Sequence, residues 1–174
     1  MVDYHKIQIT SKDIHTLTGL KWLNDQIINF YLQMIVQRSG KGKYRSTYAF
    51  STFFFPKMKE GGHSCVKRWT KKVDIFRYSL LLVPVHLGIH WCLATIDINK
   101  KTITYYDSMG GNNQACLQAL TQYLKEEHQT RKGASMDLSN WSQVTAKQIP
   151  QQMNGSDCGM FTCKFAEYLS RWVE

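Results

Sequence analysis

From Asn24 the chain runs "NDQIINFYLQMIVQRSG", with Ile27, Ile28, Tyr31, Leu32, Ile35 and Val36 recurring at helical spacing. Asn24 or Asp25 suits the N-cap and Gly40 the stop, so the stretch predicts an amphipathic helix. The pattern then changes. "YSLLLVPV", "HWCLATIDI" and "KTITYYDS" are short runs rich in β-branched and aromatic residues, and "NK" between the last two suggests a hairpin turn. "NNQACLQALTQYLKEEHQ" returns to the helical period, with Leu117, Leu120, Tyr123 and Leu124 on one face. A further strand is expected near "SQVTAKQI". A last helix is expected from Ser156 or Asp157, carrying Phe161, Phe165, Leu169 and Trp172. The order helices, strands, helix, strand, helix predicts the α+β class.

At 174 residues, 43% hydrophobic and 20% charged, the chain fits a single folded domain spanning 1–174. No repeat or low-complexity linker divides it, and the longest apolar run, "LLLVPVHLGI", is broken by Pro84 and His86 and is too short to span a membrane. The net charge of +9 favours acidic partners, but the cations are scattered. "KGKYR" and "KRWTKK" read more simply as solvated loops, so a nucleic-acid partner ranks low. Five unpaired-looking cysteines and a polar start without an apolar leader point to free thiols and an intracellular protein.

The candidate chemistry lies in "QQMNGSDCGMF". Ser156 and Asp157 as capping residues put Cys158 in the first turn of the last helix, where free backbone N–H groups and the macrodipole favour a thiolate. Asp157 opposes this slightly as a nearby negative charge. A nucleophilic thiol needs a base, a group that orients the base and donors for the oxyanion. His90 begins one strand and Asp107 ends the next, so pairing of the two strands sets both side chains at one end of the sheet. Gln152 is placed to offer an amide N–H beside the backbone N–H of Cys158. Taken singly, each residue has a plainer role: Cys158 as a small buried hydrophobe, His90 as a core histidine, Asp107 as the opener of the "YYDSMGG" turn, Gln152 as loop.

"WLNDQIINFY", "TFFF", "VKRWTKK", "LLVPVHLGIHWCLATID", "ITYYDSMGG" and "IPQQMNGSDCGMF" resemble, in order and spacing, the catalytic domain of the SUMO-specific (sentrin-specific) cysteine proteases, relatives of the adenoviral protease. The resemblance implies an adenoviral-protease-like fold of the papain-like superfamily, a central mixed sheet flanked by helices. It implies His90 as general base, Asp107 as its orienter, Cys158 as nucleophile and Gln152 as oxyanion donor. It further implies Trp22 and Trp91 as walls of a tunnel for a Gly-Gly tail, since two glycines lack the side chains such walls would exclude. Asp25, Phe53, Arg68, His86 and Gly88 would grip the modifier. The implied activity is maturation of SUMO precursors and removal of SUMO from conjugates by a monomer without cofactor, in the nucleus and also the cytoplasm. A protease for a related modifier such as NEDD8 and a SUMO-binding module with a weak active site are the alternatives. Compared with the family, the chain begins and ends short. "HLGIHWC" gathers His86, His90 and Cys92 but lacks the Glu of a zinc-protease motif, so no metal is expected.

Overall fold

The computed structural model describes residues 2–4, by their backbone, and 7–171. Its centre is a five-stranded mixed sheet in the order β3-β4-β5-β6-β7. These strands are β3 (Thr47–Ala49), β4 (Leu80–His86), β5 (Trp91–Asp97), β6 (Thr102–Tyr106) and β7 (Ser142–Thr145). The pairs β4–β5 and β5–β6 are antiparallel; the outer pairs β3–β4 and β6–β7 are parallel. A two-stranded antiparallel ribbon, β1 (Val2–Tyr4) with β2 (Ile7–Ile9), stands apart from it.

Both faces of the sheet are covered, which explains why β4 and β5 are apolar almost throughout rather than alternating. Leu81, Val83, Val85, Cys92, Ala94 and Ile96 face one core together with residues of α3 (Phe54–Val66) and α4 (Gln114–Lys132). Leu80, Leu82, Trp91 and Leu93 face the other, with α2 (Asp25–Gln37) and α5 (Cys158–Leu169). This is the period-two alternation of a strand read on both sides. Pro84 is tolerated in β4 because β3 pairs only with Leu80–Leu82, leaving that edge of β4 free of a ladder from Val83 on.

The helices follow their patterns closely. α2 starts at the Asn24 cap, whose Oδ1 accepts from the Ile27 N–H, and buries Ile27, Ile28, Leu32 and Ile35. It ends at Gln37, before the Gly40 expected to stop it. α4 is capped by Asn113, buries Leu117, Leu120, Tyr123 and Leu124, and ends at Gly133. α5 begins at Cys158 with Asp157 at the N-cap; Trp172, expected on its apolar face, lies outside the described residues. The β5–β6 connection is a hairpin, but Ile98–Lys101 make it a four-residue turn, longer than "NK" suggests, with Lys101 at φ +55°. Elements that the periodicity does not announce include β1, β2, α1 (Ser11–His15), β3 and α3, the last kinked at Gly61–Gly62.

Candidate active site

The hairpin between β4 and β5 has a two-residue loop, Gly88-Ile89, closed by the Leu87 N–H donating to the His90 carbonyl at 2.9 Å. Gly88 has φ +85°, which side-chain-bearing residues resist and which such tight loops need at their first central position. The tight reversal leaves His90 at the very base of β5. Asp107 follows the last residue of β6, and because β5 and β6 are paired neighbours the two groups meet: His90 Nε2 donates to Asp107 Oδ1 at 2.6 Å. With Nε2 engaged, Nδ1 is the ring nitrogen open to a further partner.

Asp107 also opens its turn. Its Oδ1 accepts from the Met109 N–H at 2.8 Å and its carbonyl from the Gly110 N–H at 3.0 Å. The turn-forming and histidine-orienting roles therefore belong to one carboxylate, held rigid by the turn.

Cys158 is the first residue of α5, where the helix dipole favours an anion. It is 1% exposed and belongs to the core that includes Leu23, Trp91 and Leu93; the next residue, Gly159, packs on Leu23, whose carbonyl takes the Trp91 indole N–H, so the start of α5 lies toward the His90 end of β5. Cys92 triangulates the arrangement. Its Sγ lies within 4.8 Å of ligand atoms of His90 and Asp107, and burial pushes the thiol up to about 12 against a partly offsetting hydrogen bond with Tyr105. Asp157 does not cap α5 through its side chain; its Oδ2 instead accepts from Asn154 Nδ2 at 2.8 Å.

Gln152 lies beside the Asp107 turn. Its backbone N–H donates to the Ser108 carbonyl at 3.0 Å, its Oε1 accepts from Ser108 Oγ at 2.6 Å, and its Nε2 donates to the Asn154 carbonyl at 2.6 Å. One amide hydrogen thus serves Asn154, leaving the second to serve elsewhere.

The other expected residues spread more widely. Trp22 is 42% exposed just ahead of α2, and Asp25 is the first residue of α2. Trp91 is 2% exposed, its ring stacked on His86 at 4.1 Å and its indole N–H given to the Leu23 carbonyl, so Trp22 is the exposed indole of the pair. Phe53 is exposed at the start of α3, and a cavity lined by Phe55, Pro56, Lys59, Glu60, His86 and Leu87 separates that end of α3 from the β4–β5 loop. Arg68 is exposed in the turn after α3. That turn is fastened to α4 by Glu127, which accepts from His63, Thr70 and Arg131, and by Arg131 donating to the Lys71 carbonyl.

Of the His86, His90 and Cys92 weighed as metal ligands, the structure keeps His90 and Cys92 close but replaces His86 with Asp107; these three offer ligand atoms within 4.8 Å of one another. His86 is occupied by its stacking on Trp91, and the His90–Asp107 pair is satisfied by its own hydrogen bond. Ser108 and Asn154 also belong to the site, though neither is expected from the sequence. The run Asn-Gly-Ser-Asp was the available signal for the latter, since an Asn side chain commonly closes such a turn on the backbone that follows.

With this geometry, comparison is decisive: the Ulp1 protease family, C-terminal catalytic domain, matches residues 21–174. The chain belongs to that family. It is 53% identical over 171 residues to a sentrin-specific protease of Caenorhabditis elegans, covering 98% of this chain and 24% of that protein. It is 49% identical over 168 residues to the mouse sentrin-specific protease 2, covering 95% and 29%. The chain therefore spans about a quarter of the length of these curated relatives. Among solved structures, the C-terminal Ulp1 protease domain in complex with Smt3, the yeast ortholog of SUMO, superposes with a TM-score of 0.85 at 34% identity, covering 97% of this chain and 74% of that one. The mixed sheet with helices on both faces is thus the Ulp1 arrangement, in line with the α+β class expected.

Proposed function

We propose that this chain is a thiol protease domain that cleaves after the C-terminal Gly-Gly of SUMO, both maturing precursors and releasing SUMO from conjugated lysines. The observation that carries the reading is the 2.6 Å bond between His90 and Asp107, next to Trp91, which is bonded to the Leu23 that packs on Gly159 in the first turn of α5. The names of the relatives supply the substrate class.

In this mechanism His90 Nδ1 takes the thiol proton as Cys158 Sγ bonds to the carbonyl carbon of the terminal glycine. The carbonyl π electrons move to oxygen, and the oxyanion is met by the Cys158 backbone N–H and by the free amide hydrogen of Gln152. Collapse breaks the C–N bond; the imidazolium gives its proton to the departing amine, leaving a thioester. Water, deprotonated by His90, then attacks the thioester and returns the thiol. Asp107 holds the ring and stabilises the imidazolium that forms. Trp22 with Trp91, and Asp25, Phe53, Arg68, His86 and Gly88, are assigned to holding the tail and body of the modifier. The nucleus is the compartment that goes with this reading, and imaging of the tagged full-length protein tests it.

Incubating the purified chain with SUMO, NEDD8 and ubiquitin carrying C-terminal fusions tests the assignment. Cleavage of the SUMO fusion by the wild type and none by Cys158→Ala is expected. Preferential cleavage of NEDD8 moves the substrate, and retained activity in Cys158→Ala removes the proposed nucleophile.

A further inference from the structure

We infer that Ser108 is a positioning residue for catalysis: it locks the amide of Gln152 in the one orientation that presents N–H, not C=O, to the oxyanion. The inference rests on the mechanism proposed above.

A glutamine amide has two chemically opposite ends of nearly the same shape, so nothing in the side chain itself decides which end faces the substrate. Facing the wrong way, the amide oxygen would repel the oxyanion it is meant to stabilise. Two contacts remove the ambiguity. The Asn154 carbonyl can only accept, so the atom at 2.6 Å from it must be Nε2. On the other side, Ser108 Oγ stands 2.6 Å from Oε1 and must donate. Ser108 is 1% exposed, so no solvent competes for that hydroxyl. The backbone repeats the link, with the Gln152 N–H on the Ser108 carbonyl at 3.0 Å, so side chain and main chain are held by the same residue.

Ser108 also directly follows Asp107, whose carboxylate holds His90. The acceptor end of Gln152 is therefore referenced to the same turn that orients the base. Its donor end is referenced to Asn154, whose Oδ1 accepts from the backbone N–H groups of Ser156 and Asp157 at 2.9 and 3.0 Å, immediately before Cys158. The glutamine is strung between the segment carrying the base and the segment carrying the nucleophile. Removing the Ser108 hydroxyl takes away the donor that fixes Oε1 and lets the amide rotate, which weakens oxyanion stabilisation without touching the thiol–imidazole pair.

The test compares Ser108→Ala, Ser108→Cys, Gln152→Ala and the double variant Ser108→Ala/Gln152→Ala with the wild type on a SUMO fusion. Alongside hydrolysis, the rate at which iodoacetamide alkylates Cys158 is measured, since alkylation develops no oxyanion. Ser108→Ala should lower kcat about tenfold with KM little changed, on the scale of one well-placed hydrogen bond. Ser108→Cys, a weaker donor of similar size, should fall between Ser108→Ala and the wild type. Alkylation should be unchanged in every variant, and the double variant should be no slower than Gln152→Ala alone. Unchanged kcat in Ser108→Ala, a parallel loss of alkylation, or additive losses in the double variant would each overturn the role. Failure of the wild type to hydrolyse any fusion overturns the proposed function and this role with it; normal hydrolysis by Ser108→Ala overturns only the role.

Discussion

Trp91 donates its indole N–H to the backbone carbonyl of Leu23 at 3.0 Å, joining residues 68 apart in the chain. The residue after the histidine is thereby pinned to the residue after Trp22. Trp91→Phe keeps an aromatic ring against His86 but removes this bond. It is expected to lower the free energy of unfolding by about 1 kcal/mol and to raise KM for a SUMO fusion several-fold, with little change in kcat. Denaturant melts and initial-rate kinetics measure both, and an unaltered KM would separate the bond from substrate holding.

Gly159 admits the same segment from the other side. A Cβ there would lie 2.9 Å from Leu23 Cβ, closer than packed carbons come. Gly159→Ala should destabilise by about 1–3 kcal/mol, the usual penalty for overpacking. In a Leu23→Gly background, where the Cβ that clashes is itself gone, the added cost should shrink. A double-mutant cycle by chemical denaturation gives the coupling directly.

Asp107→Asn keeps an oxygen for the Met109 N–H but replaces the negative charge that faces the imidazole. A fall in kcat/KM of about 10²- to 10⁴-fold is expected, with a small change in melting temperature, because the turn survives while the imidazolium loses its counter-charge. Matched kinetics and thermal melts on the variant would show the two effects apart.

Burial raises the thiols of Cys92, Cys116 and Cys163 to about 12, whereas Cys65 is exposed. At pH 8 almost none of the three is thiolate, the form that reacts. Brief treatment with iodoacetamide should label Cys65 and spare Cys92, Cys116 and Cys163, as read by peptide mass spectrometry. Early labelling of Cys92 would contradict its burial beside the His90–Asp107 pair.

Burial would raise the carboxyl of Glu167, but hydrogen bonds from Arg38 and Arg171 outweigh it and hold the group below its ordinary 4.5. A carboxyl depressed in the folded state adds stability that is complete well above 4.5 and fades as the pH falls toward and through the folded value. The melting temperature should therefore drop on acidification below 4.5. Glu167→Gln should melt lower at neutral pH and show a shallower fall in acid.

Periodicity carried the sequence reading furthest where one face of an element is buried. The stripe Ile27, Ile28, Leu32, Ile35 specifies α2, and Leu117, Leu120, Tyr123, Leu124 specify α4. It fell silent at α3, where Pro56 and the Gly61-Gly62 kink interrupt the period, and at β3, whose three residues are too few to set one. The meeting of His90 with Asp107 was legible because adjacent strands of a hairpin bring their ends together. Ser108 was not, since a serine in a turn has no pattern of its own; its part depends on a glutamine that the fold returns from a distant segment.

The order of the groups along the chain has a bearing on biosynthesis. His90 and Asp107, at the ends of β5 and β6, leave the ribosome well before α5, the latest of the described elements. A nascent chain that ends before α5 therefore carries the His90–Asp107 pair without Cys158. On the mechanism proposed above, the nucleophile joins them only once α5 has been threaded out and has docked, so translation itself times the onset of reactivity.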